Sequence, residues 1–272
     1  MKALTPEESK QLQTELLLEL ASFCDRNGIT YFLGYGTLLG AVRHKGYIPW
    51  DDDIDVWMPR PDYEKFCAFY KEQNQNPRFA IVCPEEKIAR HTFLKMVDTR
   101  TLKIEDGVDY SNGTLGADID IWKLDGAPSN EKEYVKWCKR LRFAYLCFFG
   151  AVSKRGFGGF WRRTKLFLLK LYAGKKEKWL KRSDKLHALY PYETCKYTSS
   201  AISLYNMKNE RFLKEWFDET VSLPFEGYEL KAPKHYHEIL TQKYGDYMRL
   251  PPEAQRVSRH ENNVFWKEDI TK

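Results

Sequence analysis

With 272 residues, 43% of them hydrophobic, the chain is long enough to bury a sizeable core as one domain or one domain with an elaboration, which excludes a disordered or miniature scaffold. Its net charge of +6 suits an anionic partner, whether a nucleotide, a nucleic acid or a membrane surface. The six cysteines make no Cys-x-x-Cys pair, and no apolar run approaches the roughly 18 residues of a membrane span, so neither a zinc site, a disulfide framework nor a transmembrane helix is expected.

The opening residues are polar and acidic too soon for a signal peptide, so a cytoplasmic protein with reduced thiols is expected. Thr5-Pro6-Glu7-Glu8 predicts a capping box with Pro at the first helical position. Leu12, Leu16, Leu20 and Phe23 give that helix an apolar face, and Asn27-Gly28 ends it. Ile29 to Leu33 is strand-like, Gly34 and Gly36 break it, and Thr37 to Val42 reads as a short helix. Asp53 to Met58 is the next strand, closed by Pro59 and Pro61, and Asp62 to Tyr70 opens another helix. Phe79 to Cys83, Thr92 to Val97 and Thr101 to Glu105 read as short strands. Ala117 to Trp122 alternates, with Asp118 and Asp120 on one face and Ile119 and Ile121 on the other. Beyond Gly126, Glu131 to Phe149 and Gly159 to Leu189 read as helices, and the C-terminal third as mostly helix and loop. This order predicts an α+β fold, a mixed β-sheet core with a helical elaboration. The expected division is a catalytic core over 1–128 and a mainly helical region over 129–272 that packs on it and completes the substrate site.

The chemistry concentrates between Gly34 and Val56, where four carboxylates, Asp51, Asp52, Asp53 and Asp55, fall within five residues. Acidic clusters are usually solvated turns. This one is flanked by Ile48, Pro49 and Trp50 before and by Ile54, Val56 and Trp57 after, and like charges so close call for a cation or a proton. An EF-hand loop starting at Asp51 would need Gly at Val56 and Glu at Asp62, and is rejected. Asp53 and Asp55 on one strand face make a natural Mg²⁺ site. Two-ion phosphoryl transfer needs a third carboxylate from another strand. Asp120, between Ile119 and Ile121, is the best candidate, with Asp118 in reserve. Gly34 and Gly36 let backbone approach an anion, and the Thr37 hydroxyl at the start of the short helix is placed to hold phosphate. Arg43 either grips phosphate or pairs with the acidic cluster; His44 is a weaker candidate, and Lys95 would neutralise phosphate beside the site.

Gly34 to Val56 resembles the signature of the LicD family, whose members transfer phosphocholine or a related phospho-alcohol from a CDP-activated donor to a glycan; fukutin-type transferases are similar. The family belongs to the nucleotidyltransferase-like superfamily, marked by Gly-Gly or Gly-Ser, a spacer, and Asp-x-Asp. Gly36-Thr37 stands at the Gly-Ser place. Ile119 to Gly126 resembles the family's Ile-Asp-Ile-Phe-Pro-Leu-Asp-Gly segment, with Trp122 and Lys123 replacing Phe and Pro. Phe225-Glu226-Gly227, Lys243 to Met248 and Pro251-Pro252 resemble its C-terminal pattern, which brings in Asp246 and Arg256 as residues that either contact substrate or pack. The resemblance implies a nucleotidyltransferase-like core and a Mg²⁺-dependent transferase using CDP-choline or a similar CDP-alcohol. Its implied metal-holding catalytic residues are Asp53, Asp55 and Asp120. Its implied donor-binding residues are Gly34, Gly36, Thr37, Arg43 and Lys95, and its acceptor is a cell-surface glycan precursor such as teichoic acid or lipopolysaccharide.

Two other readings stay open. Transfer of a nucleoside monophosphate to a small acceptor would use the same carboxylate geometry. A non-enzymatic nucleic-acid binder is prompted by Lys154 to Lys185, which holds twelve Lys or Arg against two acids, though the carboxylate cluster argues against it. In that segment Phe157, Phe160, Trp161, Thr164, Leu168, Leu171 and Tyr172 recur at helical spacing among Arg162, Arg163, Lys165 and Lys170. The stripe either packs on the core or lies in a membrane interface, which would make the enzyme peripheral at the inner face.

Overall fold

The computed structural model describes residues 2–86, 89, 91–104, 115–152, 164, 171–200, 207–257 and 264–267. Helix α1 (Pro6–Asn27) starts with the expected box: Glu8 N–H donates to Thr5 Oγ1 at 3.1 Å, and Thr5 N–H to Glu8 Oε2 at 2.8 Å. It ends on Gly28 in the left-handed region, φ 58°. Its apolar face, Leu12, Leu16, Leu20 and Phe23, is buried against the sheet.

That sheet is mixed and confirms the α+β class. Its central path runs β1 (Phe32–Leu33), β2 (Asp55–Pro59), β6 (Asp118–Ala127), β4 (Leu94–Asp98), β3 (Phe79–Val82). Only β2 and β6 run parallel, and their register sets Asp55 opposite Asp120. All five residues of β2 are buried, as an interior strand requires. Helix α2 (Tyr35–His44) joins β1 to β2, and α3 (Arg60–Gln73) follows β2. One core joins the apolar faces of α1 and α3 to the sheet and to Phe212, Phe225 and Ile239 from the C-terminal half.

Four expectations change. The second strand begins at Asp55, not Asp53, because Asp51 N–H closes a turn on the Ile48 carbonyl (2.8 Å), and the chain straightens only at Asp55. The strand at Ala117 runs on to Ala127, since β7 (Tyr197–Ser199) pairs with its far end and is itself paired with β8 (Phe212–Leu213). The helix expected over 159–189 is interrupted at Gly174, φ 62°, and resumes as α5 (Lys176–His187), packed on α4 (Glu131–Val152); most of its first half lies outside the described residues. The C-terminal third contains, besides α6 (Tyr236–Tyr244), a hairpin of β9 (Thr220–Phe225) and β10 (Tyr228–Pro233). Its turn places Glu226 and Gly227 both at positive φ, 50° and 82°, as a two-residue hairpin turn of this hand demands. A further pair joins β5 (Thr101–Lys103) to β11 (Val264–Trp266).

Candidate active site

The site lies where β1 leaves the sheet through α2 and the chain returns through the acidic turn. Gly34 caps α2 and its N–H donates to the Asp55 carbonyl at 2.9 Å, so the turn sits on the first residue of β2. A Cβ on Gly34 would stand 3.2 Å from the Trp57 ring, and one on Gly36 would stand 2.5 Å from Asp51 Oδ2. The turn and the Asp51 carboxylate therefore approach at a distance that only glycine allows. Tyr35 between them holds φ 40°, an unusual value for a side-chain-bearing residue. Its hydroxyl meets Ser200 Oγ and lies 3.4 Å from Glu210, which is ion-paired to Lys243.

Thr37 faces inward. Its Oγ1 accepts the Asp55 N–H at 2.8 Å, so the hydroxyl predicted to hold phosphate fastens α2 to the start of β2 and keeps only its own proton to donate. Asp55 is buried and accepts a 2.6 Å bond from Trp122 Nε1. The Trp that replaces Phe in the resembled segment thus supplies an N–H that Phe lacks. Burial pushes the Asp55 carboxyl well above its usual range; the charges of Asp53, Asp120 and Asp51 push the same way, and the Trp122 bond opposes them. No ammonium or guanidinium is paired with it among the described residues.

The ladder of β2 starts at Asp55, and Asp53 lies just before it, near enough to be the strongest charge acting on Asp55. Asp53 gathers with Asp51 and Asp52; the ligand oxygens of these three lie within 4.8 Å of one another. Asp120 N–H donates to the Ile54 carbonyl at 2.8 Å, bringing β6 beside the same turn. Asp120 Oδ1 is bound by Lys95 Nζ at 2.5 Å, and its other oxygen has no protein partner among the described residues. Burial raises Asp120 to about 6, with Asp118 adding to the rise and Lys95 restraining it. The reserve candidate Asp118 is paired to Lys95 and, at 2.7 Å, to Lys103. Those two cations outweigh its burial and hold it well below the carboxylate range. Lys95 is buried and paired with both Asp118 and Asp120.

Arg43 donates from Nε to His44 Nε2 (2.9 Å) and from Nη1 to the Tyr247 carbonyl (2.8 Å); neither residue is ion-paired to the acidic cluster among the described residues. Gln13 is a residue that sequence reasoning missed. From inside α1 its Nε2 donates to the backbone carbonyls of Asp52 (3.0 Å) and Asp118 (3.3 Å), tying the acidic turn to β6. A buried amide on the apolar face of a helix was the available signal. Glu226 does similar work: its carboxylate accepts the Tyr47 N–H at 3.0 Å and fixes the hairpin against the loop after α2.

A cleft of about 650 Å³ opens from this centre, between Gly36, Arg43, Trp50 and Asp51 on one side and residues 244–257 on the other. Asp246 and Arg256 both line it.

Comparison with known proteins identifies a family. The family model LicD/FKTN/FKRP, nucleotidyltransferase domain, matches residues 28–164. The lipopolysaccharide cholinephosphotransferase LicD of Haemophilus influenzae is 34% identical over 275 residues, covering 97% of this chain and 99% of that protein. Shorter stretches match uncharacterized proteins of Rickettsia typhi, 30% identical over 90 residues (31% of this chain, 29% of that one), and Rickettsia prowazekii, 44% over 48 residues (18% of each). The chain belongs to the LicD family.

Proposed function

We propose that this protein transfers phosphocholine, or a closely related phospho-alcohol, from a CDP-activated donor to a hydroxyl of a lipopolysaccharide-type glycan, releasing CMP. The observation that carries the reading is the buried Asp55 carboxylate beside the Gly34–Thr37 turn, which the charges of Asp53 and Asp120 crowd and which no cation pairs among the described residues. The near full-length relative of stated activity supports it.

A divalent cation suits this place, because Mg²⁺ bound by hard oxygen ligands would relieve the repulsion and burial at Asp55, and the oxygens of Asp51, Asp52 and Asp53 gather within 4.8 Å of one another in the turn before it. Asp53, Asp55 and Asp120 would hold Mg²⁺, as two ions in the fuller form of the proposal, which would neutralise charge on the transferred phosphoryl group and on the leaving CMP. The chain does the rest. The first-turn N–H groups of α2, from Tyr35 to Thr37, which have no partner inside the helix, hold the donor's diphosphate, while the Gly34 N–H stays on the Asp55 carbonyl. The acceptor hydroxyl oxygen attacks the phosphorus that carries choline; that P–O bond forms as the bond to CMP breaks, and CMP leaves with the electron pair. Asp120 takes the hydroxyl proton. Burial makes the Asp120 carboxylate more basic than an exposed one, which suits proton transfer. Lys95 holds one Asp120 oxygen so that the other faces the reaction.

Incubation with Mg²⁺, lipopolysaccharide and either CDP-choline or CTP tests this, with products resolved by mass. CMP and a choline-bearing glycan are expected. Pyrophosphate from CTP, with a nucleotide-bearing product, would show nucleotidyl transfer instead.

Peripheral membrane contact belongs to the same reading. Most of the stripe predicted to make it lies outside the described residues. Among the described residues, Phe143, Leu146 and Phe149 of α4 are exposed, Tyr172 packs against Phe143, and Lys178 stands over the Tyr172 ring. An apolar ridge edged with cations suits anionic lipid. No helix among the described residues is long and apolar enough to cross a membrane. Co-sedimentation with anionic vesicles should fall with salt; indifference to such vesicles at low salt would remove this part of the proposal.

A further inference from the structure

The cleft beside the carboxylates is lined by Arg43, Arg249 and Arg256 against Asp51 and Asp246, and two of those arginines are not used by phosphoryl transfer. Its inner end is Gly36 and Asp51. Its outer wall is the segment after α6, fastened to α2 by the Arg43 bond to the Tyr247 carbonyl. Two further arginines line it. Arg256 donates from Nε to the Pro251 carbonyl at 2.8 Å, and its guanidinium carbon stands 5.7 Å from the Trp50 ring centroid. Those contacts fix the plane of the guanidinium and leave both terminal nitrogens without a partner among the described residues. Arg249 is exposed, and its side chain has no hydrogen bond or ion pair among the described residues.

Forked donors held at the mouth of a cleft match the paired oxygens of phosphate or carboxylate. The rim between them is not uniformly polar: Leu250 and Val257 are 43% and 60% exposed and line the same space. The volume, about 650 Å³, exceeds what one monosaccharide needs and falls within the usual range for ligand pockets. The turn at Gly34–Thr37 already accounts for the donor's diphosphate in the reaction proposed above.

We infer that this cleft is the acceptor subsite, and that it takes a saccharide carrying an anionic group on a unit near the one that is modified. Arg249 and Arg256 bind that group while the hydroxyl to be modified lies at the Asp51 end. The inference rests on the transfer reading for the identity of the inner end.

The test is calorimetric binding of the full chain to a deacylated lipopolysaccharide oligosaccharide in three forms: intact, phosphatase-treated and carboxyl-reduced. CDP-choline binding is measured on the same samples. Wild type should bind the intact form at least about tenfold more tightly than one of the two neutralised forms, which identifies the anion as phosphate or carboxylate. The double variant Arg249→Gln, Arg256→Gln should lose that preference while its CDP-choline affinity stays within about twofold. Arg256→Lys, which keeps charge without the fork, should fall between. Equal binding of all three forms by wild type, or a matching loss of CDP-choline affinity in the double variant, would overturn the inference; the second outcome would make the cleft a nucleotide site. Arg249 is exposed, so Arg249→Gln alone serves where the double variant melts early. Oligosaccharide binding is read without turnover. Should CDP-choline give no CMP while the anion preference persists and depends on the two arginines, the transfer reading fails and the anionic-saccharide cleft stands.

Discussion

Two buried carboxylates on adjacent strands, Asp55 and Asp125, were treated in opposite ways by this fold. Asp125, 2% exposed near the end of β6, is paired with Arg60 and has His187 Nδ1 2.9 Å away. Burial would raise its carboxyl, but His187 and Arg60 outweigh burial and hold it well below the usual range. Asp55, 9% exposed at the start of β2, has other acids and one indole N–H around it, and its carboxyl is driven up. A carboxylate whose countercharge is built into the chain serves the structure. One whose countercharge is missing is shaped for something that arrives from outside. Asp120 stands between these cases, since it shares one lysine with Asp118.

The comparison breaks most visibly under amide substitution. Asp55→Asn should lower turnover by on the order of 10³-fold, as loss of a group that neutralises the transition state does. The fold should survive and gain stability in metal-free buffer. The amide oxygen still accepts from Trp122, and its NH₂ donates where charges had repelled. Asp125→Asn should do the reverse, costing about 1–3 kcal/mol of stability, because half-buried Arg60 and buried His187 lose the carboxylate between them and Arg60 keeps only Glu64. The pH dependence follows with opposite signs. Asp125, with a depressed value, contributes stability that is present above the ordinary carboxylate range and lost as pH falls through its own value. Asp55, with a raised value, contributes stability that is present below the ordinary range and lost as pH rises through its own value. Thermal melting of both variants between pH 3 and 8, with and without Mg²⁺, checks this. A destabilised Asp55→Asn that still responds to Mg²⁺ would remove Asp55 from the cation site.

A smaller effect sharpens the intermediate case. Lys95→Met removes the cation that restrains Asp120, so its carboxyl should move above about 6. The acid limb of kcat/KM should therefore move to higher pH, and turnover at neutral pH should fall by roughly tenfold or more. A rate loss with an unmoved pH profile would mean that Lys95 acts on substrate instead. Lys103→Met, which frees only Asp118 directly, should leave the profile closer to wild type.

Much of this contrast was legible before any coordinates. The Asp-x-Asp run, the inward Asp120 between Ile119 and Ile121, and the capped α1 are local patterns, and local patterns survive folding. What was not legible depended on distant partners. Strand alternation puts Asp53 with Asp55, and what it does not reveal is the turn on the Ile48 carbonyl that gathers Asp53 with Asp51 and Asp52 ahead of the strand. Lys95 seemed free for phosphate because its neighbours across the sheet, Asp118 and Asp120, are more than 20 residues away in the chain. Gln13 passed as one polar residue among leucines, since the carbonyls it binds belong to the acidic turn and β6. The hairpin at Glu226 was hidden by a turn that puts a glutamate at positive φ, a place where sequence reading expects Asn or Gly.

The smallest prediction separates support from contact at Thr37. Its Oγ1 accepts the Asp55 N–H inside the protein, so Thr37→Val leaves that buried donor unmatched while filling the same volume. The cost should be about 1–2 kcal/mol, the usual penalty for an orphaned buried amide. For a chain this long it corresponds to a fall of only a few degrees in Tm. Thr37→Ser keeps the oxygen and should recover most of the loss. The same pair of variants asks whether the hydroxyl proton also touches the donor. If Thr37 only secures Asp55, the affinity for CDP-choline should follow stability and return with serine, and valine should leave it within about twofold at temperatures where the fold is intact. If the hydroxyl also donates to phosphate, Thr37→Val should weaken donor binding by about tenfold in a fully folded sample, the loss expected for a charge-assisted hydrogen bond. Calorimetry at a temperature well below the melting transition distinguishes the two, because there the folding deficit no longer affects the fraction of protein that can bind.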